Sequence, residues 1–261
     1  RSVSRGLGDV YKRQMKNIHE LEEDLYKRWL KSYPDDEQKE FCFDGLCYNG
    51  KISSDGKNAS PGDEEELWNN TGRRILFLMK DTNNNSDSDY REWHWRNISH
   101  KFFNCIFKWL EGLSRISKDF IPTMENGDYA TVPNAVVTKY PLAIVNIKKF
   151  SGTSSVSNKT LYEYANRDKA FLQEQIRDIL HPNIIVCGGG QGTVLNIAKN
   201  IIYEDESFRE INYFCHYSRK LNILLIDSFH PSARINSYWK IEDMMLKVHE
   251  FILETDPPFM K

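Results

Sequence analysis

This sequence predicts an α/β architecture with a central, mainly parallel four-stranded sheet, and three observations lead there. Four short, continuously apolar runs recur along the chain: Ile75 to Met79, Leu142 to Ile147, Ile184 to Cys187 and Ile223 to Ile226. Each is bounded by polar residues, as expected of a strand buried on both faces. Between the runs, apolar residues step by three or four, the spacing of amphipathic helices. Strands that alternate with helices pack as a three-layer αβα sandwich.

The elements follow in order. The first fourteen residues, RSVSRGLGDVYKRQ, have no apolar periodicity and resemble translated adaptor read-through, so residues 1–14 are expected to be a non-native leader before Met15. Ile18, Leu21, Leu25 and Trp29 then predict a helix over residues 16–32, closed before Pro34 and packed on the outside of the core. Residues 51–72 are polar and rich in Gly, Ser, Asn and acids, which predicts a loop. Residues 15–72 are therefore an N-terminal helical extension and loop, in one globular unit with an α/β domain over 73–261. After the first strand, Trp95, Ile98, Phe102, Ile106, Trp109 and Leu113 mark a helix. Leu161, Tyr164, Ala165, Leu172, Ile176 and Ile179 mark another, opened by a Thr160 to Glu163 capping box and closed at His181-Pro182. Val194, Leu195, Ala198 and Ile201 form a third face, and Ile241, Met244, Met245, Val248 and Phe251 a fourth.

Composition narrows the function classes. With 261 residues, 40% of them apolar and 13% aromatic, the chain can build a sizeable core. No apolar run approaches the roughly 18 to 20 residues that cross a bilayer, so a cytoplasmic protein without membrane contact is expected. Five scattered cysteines, with no CxxC pair, predict neither a disulfide framework nor a zinc ribbon. The formal charge is −2; the leader contributes +3 of it, which leaves −5 on the rest. That balance excludes a protein that coats nucleic acid by bulk positive charge. Any nucleic-acid site must be a local patch.

In such a sheet, ligands bind beyond the carboxyl ends of the strands. Those ends read Lys80-Asp81-Thr82-Asn83-Asn84, Asn146-Ile147-Lys148-Lys149, Gly188-Gly189-Gly190-Gln191-Gly192 and Ser228-Phe229-His230-Pro231-Ser232. Asp81 can orient a water or oppose a developing cation, or else cap a turn. Asn146 interrupts an apolar run and carries donor and acceptor side by side, which suits the edge of a pyrimidine or a structural amide equally. A neutral His230 can donate to an oxygen that gains charge; a turn residue before Pro231 is the plainer reading. CGGGQGT lacks the Lys of a P-loop and the third glycine of a dinucleotide fingerprint. It reads as a tight strand-to-helix turn whose amides can face a phosphate. Cys187 lies within an apolar strand, where a buried, inert thiol is expected.

Taken together, these four strand ends resemble the uracil-DNA glycosylase superfamily. The match is closest at His230-Pro231-Ser232, which is similar to that family's histidine motif after the last core strand, and the order of the other motifs agrees over roughly residues 73–240. The first motif departs, because Lys80-Asp81-Thr82-Asn83 stands where Gly-x-Asp/Asn-Pro is usual. That segment, with FDGLCYNG at Phe43 to Gly50, is more similar to divergent members than to the housekeeping uracil enzymes.

The resemblance implies a monofunctional DNA glycosylase that hydrolyses the bond between sugar and a flipped uracil or modified pyrimidine. Removal of a modified base from phage DNA, in antiviral defence, is the sharper form of the same expectation. Asp81 would position the water, with Asn83 as the alternative, and His230 would stabilise the departing base. Asn146 would read the base edge, with Phe77, Trp93 or Trp95 stacked on its face. Ser232, Arg234, Lys240, Lys148 and Lys149 would contact phosphates, with the Gly189 and Gly190 turn, and Arg91 and Arg96 nearby. Ala233 and Ile235 stand where the family wedges the base stack. No metal or cofactor is implied, DNA is the partner, and a monomer is expected. Two other classes stay open: a non-catalytic DNA- or protein-binding module on the same fold, and a hydrolase of small nucleotides or esters.

Overall fold

In the computed structural model, which describes residues 17–82, 89–92, 101–151, 156–190, 192–236 and 238–261, each of the four apolar runs is a strand. The strands are β1 Gly45–Leu46, β2 Ile75–Asp81, β3 Ala143–Lys148, β4 Ile184–Gly188, β5 Arg209–Glu210, β6 Cys215–Ser218 and β7 Ile223–Ser228. They form one mixed sheet in the order β1-β3-β2-β4-β7-β6-β5. The neighbours β3-β2-β4-β7 pair in parallel, and β1, β5 and β6 add antiparallel edges. Among the described residues the sheet therefore has seven strands, with the four expected ones at its centre. Two-residue strands such as β1 and β5 are too short for any periodicity, and Cys-His-Tyr-Ser in β6 is no apolar run.

The helices that frame the sheet include α1 Ile18–Leu30, α2 Lys101–Arg115, α3 Asn158–Arg167, α4 Lys169–Gln173, α5 Thr193–Ile197 and α6 Asp243–Thr255, beside further short helical segments. A reciprocal capping box between Asn17 and Glu20 opens α1. Ser157 caps α3 by accepting from the Thr160 amide, so the start lies earlier than the expected Thr160 box. The chain re-starts at Asp168 into α4 and continues in a wider turn, Glu174–Leu180, which ends at a left-handed His181. Within the stretch expected to be loop, Glu64–Asn70 is helical. Its three first-turn acids suit the helix dipole, and Trp68 is buried with its indole N–H on the Leu180 carbonyl at 2.8 Å.

Side chains alternate across each strand, so every strand feeds two cores. Phe77, Met79, Val186 and Ile226 pack with Trp109 of α2 and Met245 and Phe251 of α6. Leu76, Leu78, Val145, Cys187 and Leu225 pack on the other face with Trp29 of α1, Leu161 of α3 and Val194 of α5. Helices thus cover both faces. The N-terminal helix is a full member of the second core: Leu25 and Trp29 are wholly buried, not laid on the outside. In chain order, β2 leads to β3 on one side, while β4 lies on the other. In sheets of this kind, ligands bind at such a reversal, which here falls at the carboxyl ends of β2 and β4. The leader, Asn83, Trp93, Trp95, Arg96 and Gln191 lie outside the described residues.

Candidate active site

Alternation along β2 puts Phe77, Met79 and Asp81 on the face covered by α2 and α6. Asp81 pairs in parallel register with Lys148, two residues beyond Asn146, so both strand ends present polar groups to the same face. The Asp81 Oδ2 atom is buried and has no hydrogen-bond partner among the described residues. Burial raises the pKa of this carboxyl, and the charges of Lys148 and Lys80 oppose that rise. A half-buried carboxylate that keeps an uncommitted oxygen is suited to bind a water or a cationic sugar.

His230 enters from the loop after β7. Its Nδ1 accepts the Ser232 amide at 3.2 Å, which places the ring proton of the neutral form on Nε2. Nε2 makes no hydrogen bond among the described residues. The ring lies 5.7 Å from that of Phe102 on α2, on the same face as Asp81. Burial first, then the charges of Lys80 and Lys240, lower its pKa below the ordinary 6.5, so the imidazole is neutral near pH 7. Lys80 thus acts on Asp81 and His230 alike. Gly188 lets these ends meet: a Cβ there would lie 2.5 Å from the Met79 Sδ and 3.6 Å from the Pro231 ring.

Asn146 is oriented by a residue that the sequence reading passed over. Its Nδ2 donates to Asp44 Oδ2 at 3.1 Å, and its backbone N–H donates to the same oxygen at 2.8 Å. Because only the amide nitrogen can donate to a carboxylate, the side chain is fixed with its Oδ1 turned away from Asp44. Asp44 in turn accepts from Lys149 and lies against Gln175, and its carbonyl accepts from Tyr26. The clue in the sequence was an acid before Gly45 in Phe-Asp-Gly-Leu. Gly45 adopts a positive φ of 147°, and a Cβ there would collide with Glu22.

Several expected roles change. Phe77 is fully buried and stacked on Trp109, so it presents no face to a base. Lys149 is a core cation, paired with Asp44 and Gln175, and cannot meet phosphate. Lys148 is buried, and its ammonium donates to the Phe150 and Ser151 carbonyls; its charge serves Asp81 instead. Lys240 donates to the Pro231 and Ala233 carbonyls and so pins the histidine turn. The Gly189 and Gly190 amides are spent on the Cys187 and Ser228 carbonyls. Arg91 is buried among Asp89, Glu22 and Glu23. Ser232 and the exposed Arg234 keep their places beside His230. Cys187 is buried, with its thiol pKa pushed up, as an inert core thiol should be.

Two grooves flank the segment that carries His230. One, of about 230 Å³, is lined by Lys101, Lys108, Arg234 and Lys240, together with Ala233 and Ile235. Lys101, Lys108 and Arg234 form a local basic patch on a chain of negative formal charge; Lys101 and Lys108 were missed because they look like ordinary surface residues of a helix. The other, of about 320 Å³, is lined by Tyr213, Phe214, Phe229, Trp239, Asp227 and Asp243 among others. Asp227 Oδ1 is buried without a partner among the described residues, and burial pushes this carboxyl up to about 6, against the Gly192 amide. Asp227 ends the apolar run of β7, a signal readable in the sequence.

Among the described residues, no helix is long and apolar enough to cross a membrane, and no group of three or more His, Cys, Asp or Glu side chains could hold a metal ion. No family model and no curated protein matches the chain.

Proposed function

We propose that this chain is a DNA glycosylase that hydrolyses the bond between deoxyribose and a flipped uracil or modified pyrimidine. One observation carries the reading: an Asp81 carboxylate with an uncommitted buried oxygen and a neutral His230 with an uncommitted Nε2–H share one face of the sheet's carboxyl edge. The oriented Asn146 and the cation-lined groove support it, as does the resemblance to the uracil-DNA glycosylase superfamily.

The chemistry follows from these groups. The base swings out of the stack, at a cost of a few kcal/mol, into the crevice, while Arg234, Lys101 and Lys108 hold phosphates. Asn146 retains its Oδ1 acceptor and one N–H, enough to match the donor and acceptor on a pyrimidine edge. The glycosidic bond breaks, and its electron pair leaves with the base as an anion. His230 Nε2–H donates to the base oxygen where that charge collects. Asp81 opposes the cationic sugar, positions a water, and takes its proton as the new C1′–O bond forms. The products are free base and an abasic sugar.

The test is alkali cleavage at abasic sites, on oligonucleotides carrying uracil, hypoxanthine or hypermodified cytosines. Cleavage after incubation with the wild type and a 10²- to 10³-fold slower rate for His230→Ala are expected. Binding without base release on every substrate would instead identify a non-catalytic module. Turnover of free nucleosides alone would point to a small-molecule hydrolase.

A further inference from the structure

We infer that the aromatic groove beside β7 is a second base-binding slot, which takes an unstacked base adjacent to the target on the same DNA strand. The inference rests on the glycosylase reading and adds to it a site that reads a neighbouring nucleotide. Its walls are Tyr213, Phe214, Phe229 and Trp239, and both Tyr213 and Trp239 are more than half exposed, at 53% and 54%. Exposed rings around a groove of this size suit one flat heterocycle, since any base can stack on an aromatic face.

The polar groups select a base over a phosphate. Asp243 lines the groove and accepts from the Tyr213 hydroxyl. Carboxyls repel a phosphate but accept from the exocyclic amino group of cytosine, adenine or guanine. Thymine and uracil present no such amino group.

The position selects the same strand. Phe229 and Trp239 line the slot, whereas Ala233, Arg234, Ile235 and Lys240 of the same segment line the cationic groove. A single strand that crosses this segment can therefore leave its phosphates on Arg234, Lys101 and Lys108 and turn one base into the slot. Single-stranded or locally opened DNA satisfies this, because a paired duplex has no neighbouring base to give.

Equilibrium fluorescence anisotropy tests the slot with three labelled strands of equal length: oligo-dC, oligo-dT and a chain of abasic spacers. Trp239→Ala should weaken oligo-dC binding about 5- to 150-fold and leave the spacer chain unchanged. Asp243→Asn should reduce the preference for oligo-dC over oligo-dT. Arg234→Ala should weaken all three strands. If Trp239→Ala has no effect, or weakens the spacer chain as much as oligo-dC, the slot is refuted while DNA binding stands. If the wild type binds none of the strands, the DNA reading falls and the slot with it.

Discussion

Lys148 and Lys149 are adjacent in sequence and each faces a carboxylate, yet the two pairs have opposite characters. Around Lys149 the buried charges are matched: its ammonium meets Asp44 and Gln175, and Asp44 also holds both nitrogens of Asn146. Around Lys148 the ammonium binds two carbonyls, and the Asp81 carboxylate at its side keeps one buried oxygen that no described residue engages. A saturated cluster stabilises a shape. An unsaturated one, at the crevice of a parallel sheet, holds interaction strength in reserve for a ligand. The first cluster fixes Asn146 on β3, two residues before the Lys148 of the second.

Breaking the saturated cluster should have the largest effect. Asp44→Ala strands the buried Lys149 charge and should reduce stability by about 3–5 kcal/mol in urea unfolding. His230→Ala should lower the rate of base release 10²- to 10³-fold with little change in Tm, because the ring supports charge in the transition state rather than the core. The pH dependence sharpens the contrast. Asp81 must be ionised, and burial raises its pKa above 3.8, so activity is lost at a higher pH than for an ordinary aspartate. Removing the opposing charge with Lys148→Met should move this acid limb of the rate profile still higher. His230, with its pKa lowered, stays neutral below the usual 6.5 and adds nothing to that limb near neutrality.

Asp227 gives the smallest expected effect, on stability. Its carboxyl titrates at about 6 in the fold against 3.8 when exposed, so the protonated form is favoured by folding. That contribution is complete below 3.8 and is lost as the pH rises through about 6. Asp227→Asn should therefore raise stability near pH 8 by about 1 kcal/mol, partial exposure limiting the gain, and by nothing below 3.8. Thermal unfolding at the two pH values checks it.

Much of the fold was legible because its strands are buried on both faces and so are written as unbroken apolar runs. The edge strands were not: β1 is held by pairing with β3 and by the cover of α1, which no local pattern records. At the site, polar residues that interrupt or end a run, such as Asn146, Asp81 and His230, could be found in sequence. Residue type alone could not tell which lysine is engaged. Lys149 looks as basic as Lys148 until Asp44, 105 positions away, is seen to neutralise it. Phe77 failed as a stacking residue because helices cover both faces of β2, so its ring packs on Trp109 in the core.

The most direct test of the unsaturated cluster is the amount of free base released from a uracil- or modified-cytosine-containing strand by the wild type and by Asp81→Asn, at equal DNA occupancy. The expected result is stoichiometric base and abasic site from the wild type, with a rate loss of at least about 10² for the variant. Equal release by both proteins, or none from any substrate by the wild type, would contradict a catalytic role for this edge.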